Sequence, residues 1–585
     1  MRIRWSGRHA LSCAPLFFLL SVQACVEAAP QPSGGSGPAG GHAGAVGDEG
    51  SAGAAGQAMV AGSHGGGARA DGGPASGHGG VAGIPSTSPP DDYEDPPATY
   101  AGLGASTEPA AGAEAVHVDT RLCLTFENPP ALGTEGSVRI FKAEDDSLID
   151  VIPVQGATDA LGPEVGTNAG RVRSVHVSPF EIRQTTLVVS PHEGALEYGT
   201  EYYVGISADA LTGTLDGEDF TGIGKAAGWR FTTRASAPEG ADVTVDDDGN
   251  AADFRTVQGA LSYVMETVDA DTPATITIAD GDYRELLFLR NKNNLTLRGE
   301  SRDGVIIRYE NDEAFNSGTG SSTDATSSAM GGGRSLFLVE NADLLTLDSL
   351  TLHNTHRRTG TGDQAETLYF NSISRLIATN AAFLSEQDTL QLKGYSWFYG
   401  CLVGGSMDFI WGAARAALFE DSEIRMLGDS RSTSPSGGYL VQSRTPLDDN
   451  RGFVFLDSRI THGPDATGNT VAVDEDAATY LARSGGNPSY FDNVAYINCS
   501  MDTHIATAGW ADSTSTTQPD PNPAVPSAES GWKEYGTTNL EGSPLDLAGR
   551  SAFAHLLTAE EVAAAYASRD LIFSVYGTEG WNPEL

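Results

Sequence analysis

The sequence predicts an all-β chain, a right-handed parallel β-helix preceded by a small β-sandwich. The first observation behind this is a short pattern that keeps returning: an apolar residue or pair, a small or polar pair, then renewed alternation. It reads Leu347-Asp348-Ser349-Leu350, then Thr379-Asn380-Ala381-Ala382-Phe383, then Tyr399-Gly400-Cys401-Leu402-Val403. It returns as Glu420-Asp421-Ser422-Glu423-Ile424, Leu456-Asp457-Ser458-Arg459-Ile460 and Ile497-Asn498-Cys499-Ser500-Met501. Counted from Asp348, the steps are 32, 20, 21, 36 and 41 residues. Short strands at steps near twenty, broken by longer excursions, describe coils stacked at roughly 4.8 Å, with the excursions as loops on one face. The second observation is a run of short alternating segments without this repeat, between residues 93 and 236. Turn residues punctuate them, as in an antiparallel sandwich.

Taken in order, the chain divides into four parts. Residues 1–25 read as an export signal: Arg2, Arg4 and Arg8 precede an apolar run from Leu11 to Val22 that is too short to span a bilayer comfortably. It ends Val22-Gln23-Ala24-Cys25, which resembles a bacterial lipobox, so cleavage would leave Cys25 as a lipidated first residue. The alternative is ordinary cleavage near Ala28-Ala29. Either way the chain is expected to be exported, as an outer-membrane or cell-surface lipoprotein or as a secreted protein. Residues 26–92 are Gly, Ala, Ser, Pro and His with almost no large apolar side chains, so they are expected to form a disordered tether. Residues 93–236 hold the alternating runs, among them Leu122-Cys123-Leu124-Thr125-Phe126, Val138-Arg139-Ile140-Phe141 and Trp229-Arg230-Phe231-Thr232-Thr233. The end of this segment resembles the bacterial Ig-like modules that precede extracellular enzymes. Residues 240–585 carry the coils. A last helix is expected over about 559–568, opened by a Thr558/Glu561 capping box, with Val562, Ala565 and Tyr566 on the face turned to the β-helix flank.

The net charge of −42 makes a nucleic-acid partner a poor fit. The chemistry concentrates between Glu386 and Gly412, in EQDTLQLKGYSWFYGCLVGGSMDFIWG. Asp388 lies eight residues after Asn380, and Asp408 eight residues after Gly400. They therefore share a phase of neighbouring coils, roughly one strand spacing apart. Like charges that close do not both ionise easily, so one pKa is expected to rise. A protonated Asp beside an ionised one is an acid next to a nucleophile.

In this part the sequence resembles the pectin methylesterases. Asp253-Phe254-Arg255-Thr256-Val257-Gln258 with Ala260-Leu261 is similar to that family's opening strand and helix, and Gly281-Asp282-Tyr283-Arg284-Glu285 to its G-x-Y-x-E turn. Asn354-Thr355, Gln364-Ala365 and Gln387-Asp388-Thr389-Leu390 match its N-T, Q-A and Q-D-T-L motifs. Gly405-Ser406-Met407-Asp408-Phe409-Ile410-Trp411-Gly412 resembles G-T-V-D-F-I-F-G. Gln442-Ser443-Arg444 resembles Q-G-R, Leu481-Ala482-Arg483 the start of L-G-R-P-W, and Gly509-Trp510 the late G-W. The likeness covers about residues 240–585. It departs at Ser484-Gly485, where the family has Pro-Trp, and at Trp411, where it usually has Phe.

The resemblance implies hydrolysis of galacturonate methyl esters in pectin, with methanol released and neither metal nor cofactor required. It implies Asp408 as nucleophile, Asp388 as acid and then base, the amides of Gln364 and Gln387 as oxyanion donors, and Arg483 as the cation that orients Asp408. Phe409, Trp411, Gln442 and Trp510 are the expected substrate contacts, with core packing as the alternative for Trp411. Two carboxylates at about 5 Å also suit a retaining glycosidase. An esterase or thioesterase for another acyl group, or a non-catalytic cell-surface carbohydrate binder, is kept open by the change at Ser484-Gly485.

Overall fold

Asn and Asp enter the left-handed backbone region more readily than other side chains with a Cβ, and the repeat uses them there. Asn380, Asp421, Asp457 and Asn498 have φ of +47°, +48°, +50° and +53°; Ser349 (+57°), Gly400 (+62°) and Gly536 (+66°) hold the same place. Each of these residues turns the chain from one parallel sheet into the next. In the first coil the turn residue is Ser349 rather than Asp348, because Asp348 pairs with Thr379. The first step of the repeat is therefore one residue shorter than counted from Asp348.

The computed structural model describes residues 93–155, 157–161, 173–317, 333–360, 362–431, 437–464 and 479–585. Three parallel sheets of eleven, nine and seven strands form the right-handed β-helix. The first runs from Asp242–Val245 to Ala554–Leu556, the second from Gly281–Arg284 to Thr538–Asn539, and the third from Leu287–Arg290 to Tyr480–Ala482. In-register stacking fills the interior with like on like. Phe398, Phe419, Phe455 and Tyr496 stack ring on ring at 4.6, 4.9 and 4.4 Å. Such pairs are each worth about 0.5–1.5 kcal/mol beyond their buried area. A polar ladder of Cys401, Ser422, Ser458 and Cys499 runs beside them: the Cys401 N–H donates to Ser422 Oγ and the Ser422 N–H to Ser458 Oγ, both at 3.1 Å. Cys401 and Cys499 are both free and stand three coils apart, roughly 14 Å, beyond disulfide reach.

The N-terminal end of the β-helix is closed by the helix Val257–Thr267, whose Val257, Ala260, Leu261 and Val264 are buried. The carboxylate of Asp119, from the preceding segment, accepts from the N–H groups of Arg255 and Thr256 (both 2.8 Å) at the start of that helix. That segment contains a four-stranded antiparallel sheet and a five-stranded sheet, antiparallel apart from one parallel pair. Leu122, Leu124, Leu187, Val138, Ile140, Tyr202 and Phe231 share one core between them. From it a hairpin, Ala157–Leu161 with Arg173–Val177, reaches the flank of the β-helix. There Val175 packs with Phe288, Leu338 and Tyr369. Arg173 is buried and donates to the carbonyls of Leu287 (2.9 Å), Gly333 (3.1 Å) and Ser335.

At the other end the helix Ala559–Ala565 carries the Thr558/Glu561 capping box and stops at Tyr566; a separate turn, Arg569–Ile572, follows. Val562, Ala565 and Tyr566 pack on Trp397, Leu418 and Val454, on the outside of the eleven-stranded sheet. The expected export signal with Cys25, and the expected tether, lie outside the described residues.

Candidate active site

Pairing of Leu390 with Ile410 and of Gln391 with Trp411, and the bridge between Gln387 and Met407, set Asp388 and Asp408 at one register position of adjacent coils. Both are buried, and both have left-handed backbone, with φ of +64° and +45°. Such conformations on residues other than glycine cost of order 1–3 kcal/mol and concentrate at functional sites.

The two carboxylates are treated differently by their surroundings. Asp408 is held by a guanidinium fork. Arg483 Nε donates to its Oδ1 at 2.8 Å and its Oδ2 at 3.0 Å, and Nη2 adds a further bond to Oδ2. A planar fork of this kind favours the ionised, oriented carboxylate. Arg483 is itself fixed: its Nη1 donates to Gln518 Oε1 at 3.1 Å, and its guanidinium lies 5.4 Å over the Tyr439 ring. Burial works against the Arg483 charge but Asp408 outweighs it, so its pKa moves up.

Asp388 shares its cation. Arg334 Nη2 donates to Asp388 Oδ2 at 3.1 Å, while the rest of that guanidinium serves Glu366 (2.8–3.0 Å) and Glu313 (3.0 Å). Burial pushes the Asp388 carboxyl up to about 8; Arg334 opposes this, and the negative charges of Glu366 and Asp408 add to it. An acid that keeps its proton at neutral pH thus adjoins a carboxylate locked in an arginine fork. Arg444 completes the charge set. It lies 4.7 Å over the Trp411 ring and donates to Gln442 Oε1 at 2.8 and 3.2 Å. Burial lowers its pKa, and Asp388 and Asp408 counter that.

Gln364 and Gln387 are half-buried and backbone-linked on neighbouring coils through the Ala365 N–H, which donates to the Gln387 carbonyl at 3.2 Å. The side-chain Oε1 of Gln364 has no hydrogen-bond partner among the described residues. Gln387 adjoins Asp388 in the chain and Gln364 lies one coil before it, and a side-chain amide carries N–H groups of the kind an oxyanion accepts.

Two of the expected substrate contacts are corrected. Phe409 has no exposed surface and belongs to the β-helix core. The left-handed backbone at Asp408 breaks the two-residue alternation, so Phe409 and Ile410 both reach the interior. A Cβ at Gly405 would lie 2.2 Å from that of Phe409, so the glycine is what lets the ring fit. Trp510 is likewise a core residue, stacked on Trp532 at 5.2 Å and edge-on to Tyr496 at 5.8 Å. Trp411 and Gln442 do border the site, but both are buried and engaged with Arg444, which they position.

The sequence reading missed Arg334 and Glu366 and passed over Arg444. Glu366 stands two residues after Gln364, and Arg444 two after Gln442, so period-two alternation was the signal for both. Gly485, where the resemblance implies a Trp, is exposed, and a Cβ there would meet only Gln442 at ordinary contact distance. Gly485→Trp is expected to restore an aromatic platform worth about 0.5–1.5 kcal/mol of binding. That means a KM lower by about two- to tenfold with kcat unchanged, measured by steady-state kinetics on the polysaccharide substrate.

Residues 242–521 match the family model of the pectinesterases. Pectinesterase QRT1 of Arabidopsis thaliana is 26% identical over 364 residues, covering 58% of this chain and 81% of that protein. Pectinesterase A of Dickeya chrysanthemi is 27% identical over 276 residues, covering 45% and 74%. Among solved structures, a pectin methylesterase from Erwinia chrysanthemi is similar at a TM-score of 0.45 and 22% identity, over 60% of this chain and 100% of that one.

Proposed function

We propose, from the premise that residues 242–521 form a pectinesterase-family domain, that this chain hydrolyses the methyl esters of galacturonate in pectin and releases methanol. One observation carries the assignment of roles: two buried, register-matched aspartates, one in the fork of Arg483, the other with its carboxyl pushed up to about 8. Ionised Asp408 attacks the ester carbonyl carbon, and the carbonyl electrons move onto oxygen. The amides of Gln364 and Gln387 donate to that oxyanion. The tetrahedral intermediate collapses, the C–OCH3 bond breaks, and Asp388 gives its proton to the departing methoxide. Asp388, now ionised, takes a proton from water as the water attacks the acyl-enzyme. The second collapse breaks the bond to Asp408, regenerates its carboxylate and frees the galacturonic acid, which gives its proton to solvent. Arg483 orients Asp408, and burial, with the charges of Glu366 and Asp408, keeps the proton on Asp388 against the pull of Arg334.

The pH dependence tests the acid. Methanol release by the wild type is expected to fall as pH rises through about 8, where Asp388 loses its proton. Asp388→Asn is expected to lower kcat by about 10²–10⁴-fold, because an amide neither lends nor retrieves a proton. The linked stability has a definite sign. The folded pKa lies above the unfolded one, so the folded state holds an extra proton between about 4 and 8, and stability falls as pH rises through that window. The asparagine variant lacks this loss, so its thermal midpoint should gain on the wild type from pH 5 to pH 8. A difference that stays constant across that range would contradict a protonated Asp388.

For the segment before residue 93 we propose an exported chain anchored in the outer membrane or at the cell surface through a lipid on Cys25, with a simply secreted chain as the alternative. The support is the apolar run that ends at Cys25 and the Gly- and Ala-rich stretch after it. Cys25→Ser should move the protein from the membrane to the soluble fraction with its specific activity unchanged. Wild-type protein recovered unlipidated in the soluble fraction would contradict the anchor.

A further inference from the structure

His462 closes the strand Arg459–His462, and Asp502 and His504 follow the strand Ser500–Met501 on the next coil. This neighbouring pair of coils brings one ligand atom from each of the three residues within 4.8 Å of the others. The cluster stands apart from the two aspartates: His462 is two coils along from Gly405 in the nine-stranded sheet, roughly 10 Å down the axis.

A second observation points to a ligand. His504 is 1% exposed, yet neither of its ring nitrogens has a hydrogen-bond partner among the described residues. His462 Nδ1 lies 3.0 Å from Asp502 Oδ2 but is not aligned to form a hydrogen bond with it. The two imidazoles face each other at 4.9 Å between ring centres, with planes tilted by 48°. Unsatisfied polar groups in the interior are rare and costly. A buried imidazole with both nitrogens unpartnered, facing a second imidazole and a carboxylate, is what a bound cation would explain.

We propose that His462, Asp502 and His504 form a binding site for a divalent transition-metal ion of the Zn2+ class, which staples two successive coils of the β-helix. Two imidazoles and one carboxylate select such an ion over Ca2+ or Mg2+, which take oxygen ligands, and three protein ligands leave a fourth position for water.

The test uses the full chain, stripped with a chelator and dialysed. Zn2+ is titrated calorimetrically into wild type, Asp502→Asn and His504→Gln. Wild type is expected to bind one equivalent more than either variant, or to bind that equivalent at least about tenfold more tightly. The histidines of the N-terminal stretch are common to all three proteins and cancel in the difference. Zn2+ should raise the thermal midpoint of wild type and leave the variants unmoved, and Ca2+ should raise none. Co2+ should give wild type a visible absorption band that both variants lack. Asp502 is a quarter exposed, so Asp502→Asn keeps the fold and decides the matter even if His504→Gln does not fold. Equal Zn2+ stoichiometry, affinity and midpoint shift in wild type and Asp502→Asn would overturn the site. An equal response to Ca2+ would overturn the ion class.

Discussion

Asp408→Ala is expected to abolish methanol release, with kcat lower by on the order of 10⁴–10⁶-fold, the range set by removing a covalent nucleophile from a cooperating set. The fold is expected to survive. Arg483 is partly exposed and keeps its bond to Gln518, so it is not stranded in the interior. A purely structural role for Asp408 would instead lower activity only in step with the thermal midpoint. Kinetics and thermal unfolding, measured together on the same preparation, separate the two. Asp408→Asn sharpens the comparison. It preserves the side-chain shape and one acceptor toward Arg483, so it should be nearly native in stability and as inactive as the alanine variant.

Arg334→Met is expected to have the largest effect on stability and activity together. This guanidinium serves Asp388, Glu366 and Glu313, and the first two have almost no access to water. Burial opposes its charge, but Glu366, Asp388 and Glu313 hold its pKa up. Removing one partner of a buried ion pair leaves an uncompensated charge and costs about 3–5 kcal/mol. A drop of that size in unfolding free energy, read from denaturant titration, is the expected outcome. The residual activity carries a further signature. Arg334 is the largest influence lowering the Asp388 pKa, so without it the alkaline limb of the pH–rate profile should move upward from about 8. Arg334→Lys restores a charge without the planar fork and should recover part of the stability and part of the shift. An Arg334→Met protein with wild-type stability and an unmoved alkaline limb would remove Arg334 from the site.

The parts of this molecule that could be read from sequence are those that repeat. Asn380, Asp421, Asp457 and Asn498 mark the coils because a left-handed turn selects their side chains, and a stacked fold needs that turn once per coil. The same periodicity placed Asp388 and Asp408 in one phase. Beyond Glu366 and Arg444, which the period-two alternation signals, what escaped was not periodic. Arg334 lies 54 residues before the aspartate it pairs with, and an ion pair between coils leaves no local mark. Phe409 was misread for a related reason: its direction depends on the backbone of Asp408, which leaves the regular strand conformation. Trp510 looked like a sugar platform as an isolated Gly-Trp pair. Only the stack of Tyr496, Trp510 and Trp532 shows that the interior takes it.

The most direct test of the central claim is a product assay on the purified chain with highly methyl-esterified pectin, following methanol, new reducing ends and unsaturated uronides in the same reaction. Two carboxylates in these charge states, with amides beside them, are expected to release methanol alone and leave the polysaccharide length unchanged. New reducing ends would assign the aspartate pair to glycosidic cleavage, and unsaturated ends to elimination. Either, with no methanol, would contradict the ester hydrolysis argued from Asp388, Asp408 and Arg483.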